Sequence, residues 1–236
     1  MLAQTAGICL VGTGIDDGEL ARLAEELGLA PGGSGESVEV VGEGESDLLV
    51  EALARSPRAV VERIEGAAFP SRELAAALGQ GAFFLSLSTR LAWTLDTAAK
   101  FCEGLIKRGL MPDYLRHDVE LSLHEAVINA VLHGNLAMGG SLVDDPAEFD
   151  AFCQKLSRRL AEADRACKRV HLSAHVAGDV LSVRVTDQGD GYDPARVRGL
   201  SSVEAKSGRG LEIMRTLASG FRAEDGGRTA VLTFSV

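Results

Sequence analysis

No lysine occurs before Lys100, and residues 1–80 carry 5 Arg against 14 Asp and Glu. That stretch offers nucleic acid no basic surface. The 4 cysteines, Cys9, Cys102, Cys153 and Cys167, are scattered and form no Cys-x-x-Cys pair. Their spacing argues against a metal site or a disulfide frame and suits reduced core thiols in the cytoplasm. No apolar run approaches the length of a membrane span, so no membrane contact is expected. Met1 to Gly14 lack the basic start and small-residue cleavage pattern of a signal peptide. Aromatic residues make up only 5%, yet the 46% apolar content of these 236 residues is ordinary for a globular core. The charge is unevenly divided: of a net −10, residues 1–80 carry −9. Charge asymmetry of this kind suggests two domains, an acidic one at 1–78 and a larger one at 79–236.

The first stretch reads as a short β-α-β-α-β pattern, hence a small α/β layer. Strands are expected at 7–12, 38–42 and 58–64, and helices at 17–28, 46–55 and 71–78. In the second stretch, 82–87 reads as a strand and 89–109 as one long helix. Asp113 can cap a further helix running through 136. Residues 139–145 form a loop, and 146–168 another helix. VHLSAHV and VLSVRVTD read as a hairpin. A helix from Gly210 to about Ser219 and a last strand, RTAVLTFSV, close the chain.

Three motifs carry the chemistry. Glu125, Asn129 and His133 recur every four residues, which puts them on one stripe of a helix. A carboxylate and an amide on that stripe suit a Mg²⁺–phosphate site. The carboxylate can instead take a proton from an attacking hydroxyl. Asp187 shares parity with Leu181, Val183 and Val185, so it points to the apolar face of its strand. A carboxylate there is costly without donors. An adenine amino group is one donor, and Gly189 and Gly191 would let the base approach the backbone. The alternative is a turn whose Asp bonds its own amides. Gly208 and Gly210 precede a helix and make an anion cradle, with Lys206 and Arg209 adding positive charge.

In this order the motifs LSLHEAVINAVLHGN, DQGDG and SGRGL resemble those of the GHKL ATPase superfamily, and most of all its anti-sigma-factor serine/threonine kinases. The likeness covers about residues 80–236. It implies ATP and Mg²⁺ as cofactors, with Glu125 as the metal-box glutamate and general base. Asn129 would be the magnesium ligand, and His133, Gly134 and Asn135 would end that box. Asp187 falls on the adenine-binding aspartate, with Gly189 and Gly191 as the first glycine box. Gly208, Arg209, Gly210 and Leu211 fall on the second. Thr229 matches the threonine that closes the adenine pocket. The implied fold is a Bergerat α/β sandwich, an antiparallel sheet against helices. Residues 139–168 depart from the shortest serine kinases by carrying a helix.

The acidic first domain could resemble a truncated receiver. It is a degenerate one: Gly12-Thr13-Gly14 ends the first strand in place of an acidic pair, and the lysine is missing. The run Gly12-Thr13-Gly14 also differs from a dinucleotide fingerprint, because Gly18 comes one place late. A protein-interaction or dimerisation role is expected for it, and residues 80–236 are expected to bind ATP without it.

The functional expectation is a cytoplasmic regulatory kinase. It would phosphorylate Ser or Thr on a protein antagonist, with a sigma factor as a further partner and a homodimer as a possible state. The alternatives are a nucleotide-dependent binding switch without phosphotransfer, or a histidine-kinase catalytic domain using His117. Asp193–Lys206 is expected to act as a nucleotide-ordered lid.

Overall fold

Strands from both halves of the chain hydrogen bond into one nine-stranded mixed sheet. The computed structural model describes residues 7–33, 35–139, 146–191 and 209–236. The first half runs β1 (Ile8–Thr13), α1 (Asp17–Leu27), β2 (Ala30–Pro31), β3 (Glu36–Val41), α2 (Ser46–Ala54), β4 (Ala59–Glu62), α3 (Ser71–Gly79) and β5 (Phe83–Ser88). Then come α4 (Thr89–Thr94), α5 (Thr97–Lys107), a 3₁₀ turn (Asp113–Leu115), α6 (Arg116–Ile128) and a π-helical segment (Asn129–Asn135). The rest is α7 (Pro146–Ala161), α8 (Ala163–Ala166), β6 (Arg169–Ala177), β7 (Val180–Asp187), α9 (Arg209–Leu217), β8 (Gly220–Glu224) and β9 (Thr229–Ser235). None of the described helices is long and apolar enough to cross a membrane.

Local chemistry explains most of the boundaries. Asp16 caps α1 by accepting from the amides of Gly18 and Glu19, and Gly28 closes it in the left-handed region at φ 65°. The expected single helix over 89–109 is two helices. Leu95 is extended, with φ −85° and ψ 144°, and Asp96 caps α5 through the Ala99 amide. Asp113 does not cap α6; it opens the 3₁₀ turn, and neither that turn nor α6 has a side-chain cap. The expected helix over 146–168 breaks at Glu162, which is extended and precedes α8.

The strand order is β2-β1-β3-β4-β5-β6-β7-β9-β8. Neighbours from β2 to β5 are parallel, and those from β5 to β8 are antiparallel. The parallel part has the 2-1-3-4-5 order of flavodoxin-type sheets. Such sheets bind ligands at the switch point, here between β1 and β3. In this chain that point is closed: the Gly42 amide donates to the Thr13 carbonyl at 3.0 Å, and a Cβ on Gly42 would lie 2.4 Å from the Gly14 oxygen.

The expected division at 78/79 falls at the last residue of α3, just before β5, and the sheet does not stop there. Ala59, Val60 and Val61 of β4 pair with Phe84, Leu85 and Ser86 of β5. All six residues of β5 are buried, as befits a central strand covered on both faces. One core cluster spans the join. It unites Val41, Val60, Leu85, Leu172, Val183 and Leu232 of the sheet with Leu49 of α2, Phe101 of α5, Leu123 of α6 and Met214 of α9. Within it Phe83 and Phe101 stack at 4.9 Å, a pair worth about 0.5–1.5 kcal/mol beyond the area it buries. A second cluster lies on the other face, where Leu23 of α1 and Leu74 of α3 cover Leu10, Val38, Val61 and Phe84. The molecule therefore has three layers over the parallel strands. Over β6, β7 and β9, α4, α6 and α9 pack on one face.

Candidate functional site

The antiparallel half brings the first two motifs into contact. In β7, Leu181, Val183, Val185 and Asp187 are all buried on the helix-covered face. Asp187 thus points inward as its parity requires, at 9% exposure. Its Oδ1 accepts from the Gly189 amide at 2.7 Å, and its own amide donates to the Arg228 carbonyl at 3.0 Å. Burial pushes its pKa up to about 6; the Gly189 amide and the positive charges of Arg228 and Lys168 oppose that rise. Among the described residues, no donor reaches Oδ2.

The end of the HGN motif lies directly on this carboxylate. A Cβ on Gly134 would be 2.4 Å from Cγ of Asp187, and one on Gly189 would be 2.4 Å from the Gly134 oxygen. Only glycine permits that approach at either position. Asn135 follows, fully buried. Its Nδ2 donates to Thr89 Oγ1 at 2.8 Å and to the Arg169 carbonyl at 3.0 Å, while its Oδ1 accepts from the Gln188 amide at 2.8 Å. Its side chain is engaged by protein on both ends, so Asn135 acts here as a clamp rather than as a free ligand. Gly191 ends the turn at φ 73°.

Glu125 and Asn129 are half-buried. A Cβ on Gly210 would lie 2.4 Å from Glu125 Oε2, so that carboxylate faces the first turn of α9. This links the first motif to the third. The stripe does not extend to His133. The helix changes to π geometry at Asn129, which rotates later residues away from an α-helical stripe; such segments concentrate at functional sites. His133 is exposed, and its Nδ1 lies 2.9 Å from the Met138 carbonyl. That carbonyl requires the proton on Nδ1. Leu211 packs against the main core. Gly208, the side chain of Arg209 and the expected lid at Asp193–Lys206 lie outside the described residues.

Thr229 departs from expectation. It pairs with Thr186, and their hydroxyls are 3.0 Å apart. Successive strand residues alternate faces, so Thr229 lies on the face opposite Asp187. There it also donates to Asp225 at 2.7 Å. Arg228, one place earlier, is the residue that adjoins Asp187. The sequence reading missed Arg228, which only strand register reveals, and Thr89 at the start of α4, which reaches the site only through its bond to Asn135.

A groove of about 960 Å³ opens elsewhere, between the α4–α5 joint and α6. Trp93, Asp96, Tyr114, His117, Glu120 and His124 line it, and neither Glu125, Asn129 nor Asp187 does. Its wall takes Leu121, His124 and Ile128 from the outer side of the first motif, and the contacts around Asp187 mark the candidate site better than cavity size. His117 is exposed on its wall. Among the described residues, no three His, Cys, Asp or Glu side chains converge on a metal-sized site. A Mg²⁺ near Asn129 and Glu125 would take most of its ligands from phosphates and water.

No protein-family model matches the chain, and a search of curated proteins finds no match.

Proposed function

We propose that the chain binds ATP with Mg²⁺ and belongs among the GHKL ATPases, its antiparallel half forming a Bergerat-type sandwich. Within that class, the reading is a regulatory kinase of the anti-sigma type that phosphorylates Ser or Thr on a protein antagonist. One observation carries the proposal: an inward carboxylate at Asp187, held between Gly134 and Gly189, with one oxygen taken by its turn and the other unclaimed by the described residues. An adenine amino group is the donor such an oxygen suits. Glu125 supports the same reading. Its carboxylate faces the first turn of α9, where a helix N-terminus favours phosphate. Two anions at that turn require a cation between them, which accounts for Mg²⁺.

Bound Mg-ATP supplies an activated phosphoryl group. Glu125 would take the proton from the attacking hydroxyl as an O–P bond formed to the γ-phosphoryl group, with ADP as the leaving group. Asp187 anchors the base and takes no part in bond making.

Asp187→Asn is expected to weaken ATP binding by about one to two decades, the worth of a charge-assisted hydrogen bond. Titration calorimetry on the folded variant is the measurement. Near-wild-type affinity would remove Asp187 from the site. The charge also predicts a pH dependence. The amino group needs the ionised carboxylate, so ATP affinity rises with pH through about 6, and Asp187→Asn abolishes that dependence. The stability linkage has the opposite sign. Because the folded pKa is raised, the stabilisation is full below the unfolded value of about 4 and is lost as pH climbs through 6. Incubation of the full chain with labelled ATP and candidate antagonists tests transfer. Tight ATP binding with no transfer to any of them would leave a nucleotide-dependent binding switch.

A further inference from the structure

The two halves of the sheet are joined by a chain of polar side chains that ends at the Asp187 turn. It starts at Glu62, the last residue of β4, which is fully buried. Glu62 Oε1 accepts from the Gly44 amide and from Ser88 Oγ, both at 3.1 Å; Oε2 accepts from the Ser88 amide at 2.5 Å. Ser88 ends β5 and caps α4, its Oγ accepting from the Leu91 amide at 3.1 Å. Thr89 follows, also fully buried. Its amide and hydroxyl both donate to the Lys168 carbonyl, at 2.8 and 2.9 Å. The same hydroxyl accepts from Asn135 Nδ2, and Asn135 Oδ1 accepts from the Gln188 amide. Gln188 Oε1 accepts in turn from the Arg169 amide at 2.8 Å. Gln188 stands between Asp187 and Gly189.

Within the turn, the Asp187 carboxylate holds the Gly189 amide. Gly189 and Gly191 have no side chains, so its other bonds come from neighbouring segments. Asn135 supplies one of them, and the preceding Gly134 is the floor under the carboxylate. The orientation of Asn135 is fixed by Thr89, and that of α4 by Ser88 and Glu62. Connected polar networks of this kind, mostly buried, couple their members.

We propose that Glu62, Thr89 and Asn135 are positioning residues for the Asp187 site, so that the parallel half of the sheet sets the geometry of the turn that holds the nucleotide base. The inference rests on the ATP-site reading of Asp187. It assigns the first half of the chain a role in binding through buried bonds, without any contact to the ligand.

Thr89→Val is the decisive variant in the full-length protein, since it keeps the shape and removes the hydroxyl. Thr89→Ser restores the hydroxyl and serves as the rescue. Two readouts are taken on each: the titration of the Asp187 carboxyl by NMR without ligand, and ADP affinity by calorimetry. In Thr89→Val the Gly189 amide loosens from Asp187, so the carboxyl titrates above the wild-type value near 6. ADP affinity falls by about tenfold, one hydrogen bond's worth. Thr89→Ser behaves as wild type on both. Should Thr89→Val fail to fold, Glu62→Gln carries the same two readouts. It replaces an acceptor facing Ser88 or Gly44 with a donor, and a shift in the Asp187 titration is again expected. Lower stability with unchanged titration and unchanged ADP affinity would overturn the proposal, because the chain would then be structural only. If wild-type protein binds no ADP, the nucleotide reading falls, and the titration arm still decides whether Thr89 positions Asp187.

Discussion

Glu125→Gln is expected to keep ATP binding and to slow phosphotransfer by about 10²–10⁴-fold, the usual contribution of a general base. The carboxylate sits on α6, half-buried, one helical turn before Asn129. Its Oε2 faces Gly210 at the start of α9. Gln has the same shape and hydrogen-bonding reach but cannot take the proton. With phosphates, water and Asn129 still available to the Mg²⁺, Mg-ATP affinity should stay close to wild type, so the expected signature is a fall in turnover without a large rise in Kd. Single-turnover transfer from labelled ATP is the measurement. A wild-type rate in Glu125→Gln would mean that another group accepts the proton. Asn129→Ala is the companion variant, and its effect should fall on the Mg²⁺ dependence of binding.

Gly134→Ala should abolish nucleotide binding, a loss greater than about a hundredfold, with about 1–3 kcal/mol of stability from overpacking. The added methyl would lie 2.4 Å from Cγ of Asp187, 2.5 Å from Oδ1 and 2.7 Å from Oδ2. The carboxylate cannot step aside cheaply, because Oδ1 is bonded to the Gly189 amide and Gly189 itself abuts the Gly134 backbone. The carboxylate and the turn must therefore move together. Gly79→Ala is the control, since a Cβ there meets nothing within 4 Å. Calorimetry and urea unfolding on both variants separate local displacement from general destabilisation. Retention of ATP affinity in Gly134→Ala would show that Asp187 can move without cost and is not the anchor.

The inward aspect of Asp187 was legible in the sequence because a strand's two-residue period is strict: three buried aliphatic residues of the same parity precede it. The hairpin of β6 and β7 was legible for the same reason, whereas β1, β4 and β5 were legible as short apolar runs. The face of Thr229 was not. It depends on the register of β9 against β7, which the turn at Asp225–Gly227 sets and no periodicity reveals. The π segment left no signal either, since a shift in backbone hydrogen bonding does not require particular residues. β8 escaped because a five-residue edge strand carrying Arg222 and Glu224 has little apolar pattern. The break at Leu95 was readable in principle, as Asp96 is a good capping residue. The proposed two-domain division came from charge. Charge reports the surface, whereas strand pairing is decided by buried residues such as those of β5.

The uninterrupted sheet changes what truncation would do. Removing residues 1–78 would strip β4 from β5 and leave the hydrogen-bonding edge of Phe83–Ser88 bare. An apolar edge of that kind invites pairing with other chains. It would also remove Leu49 and Val60 from the shared core and leave Ser88 without Glu62. The acidic half is thus a wall of the same cooperative unit, and heat should melt both halves in one calorimetric transition. A fragment starting at residue 80 should aggregate rather than work as a free-standing ATP-binding module.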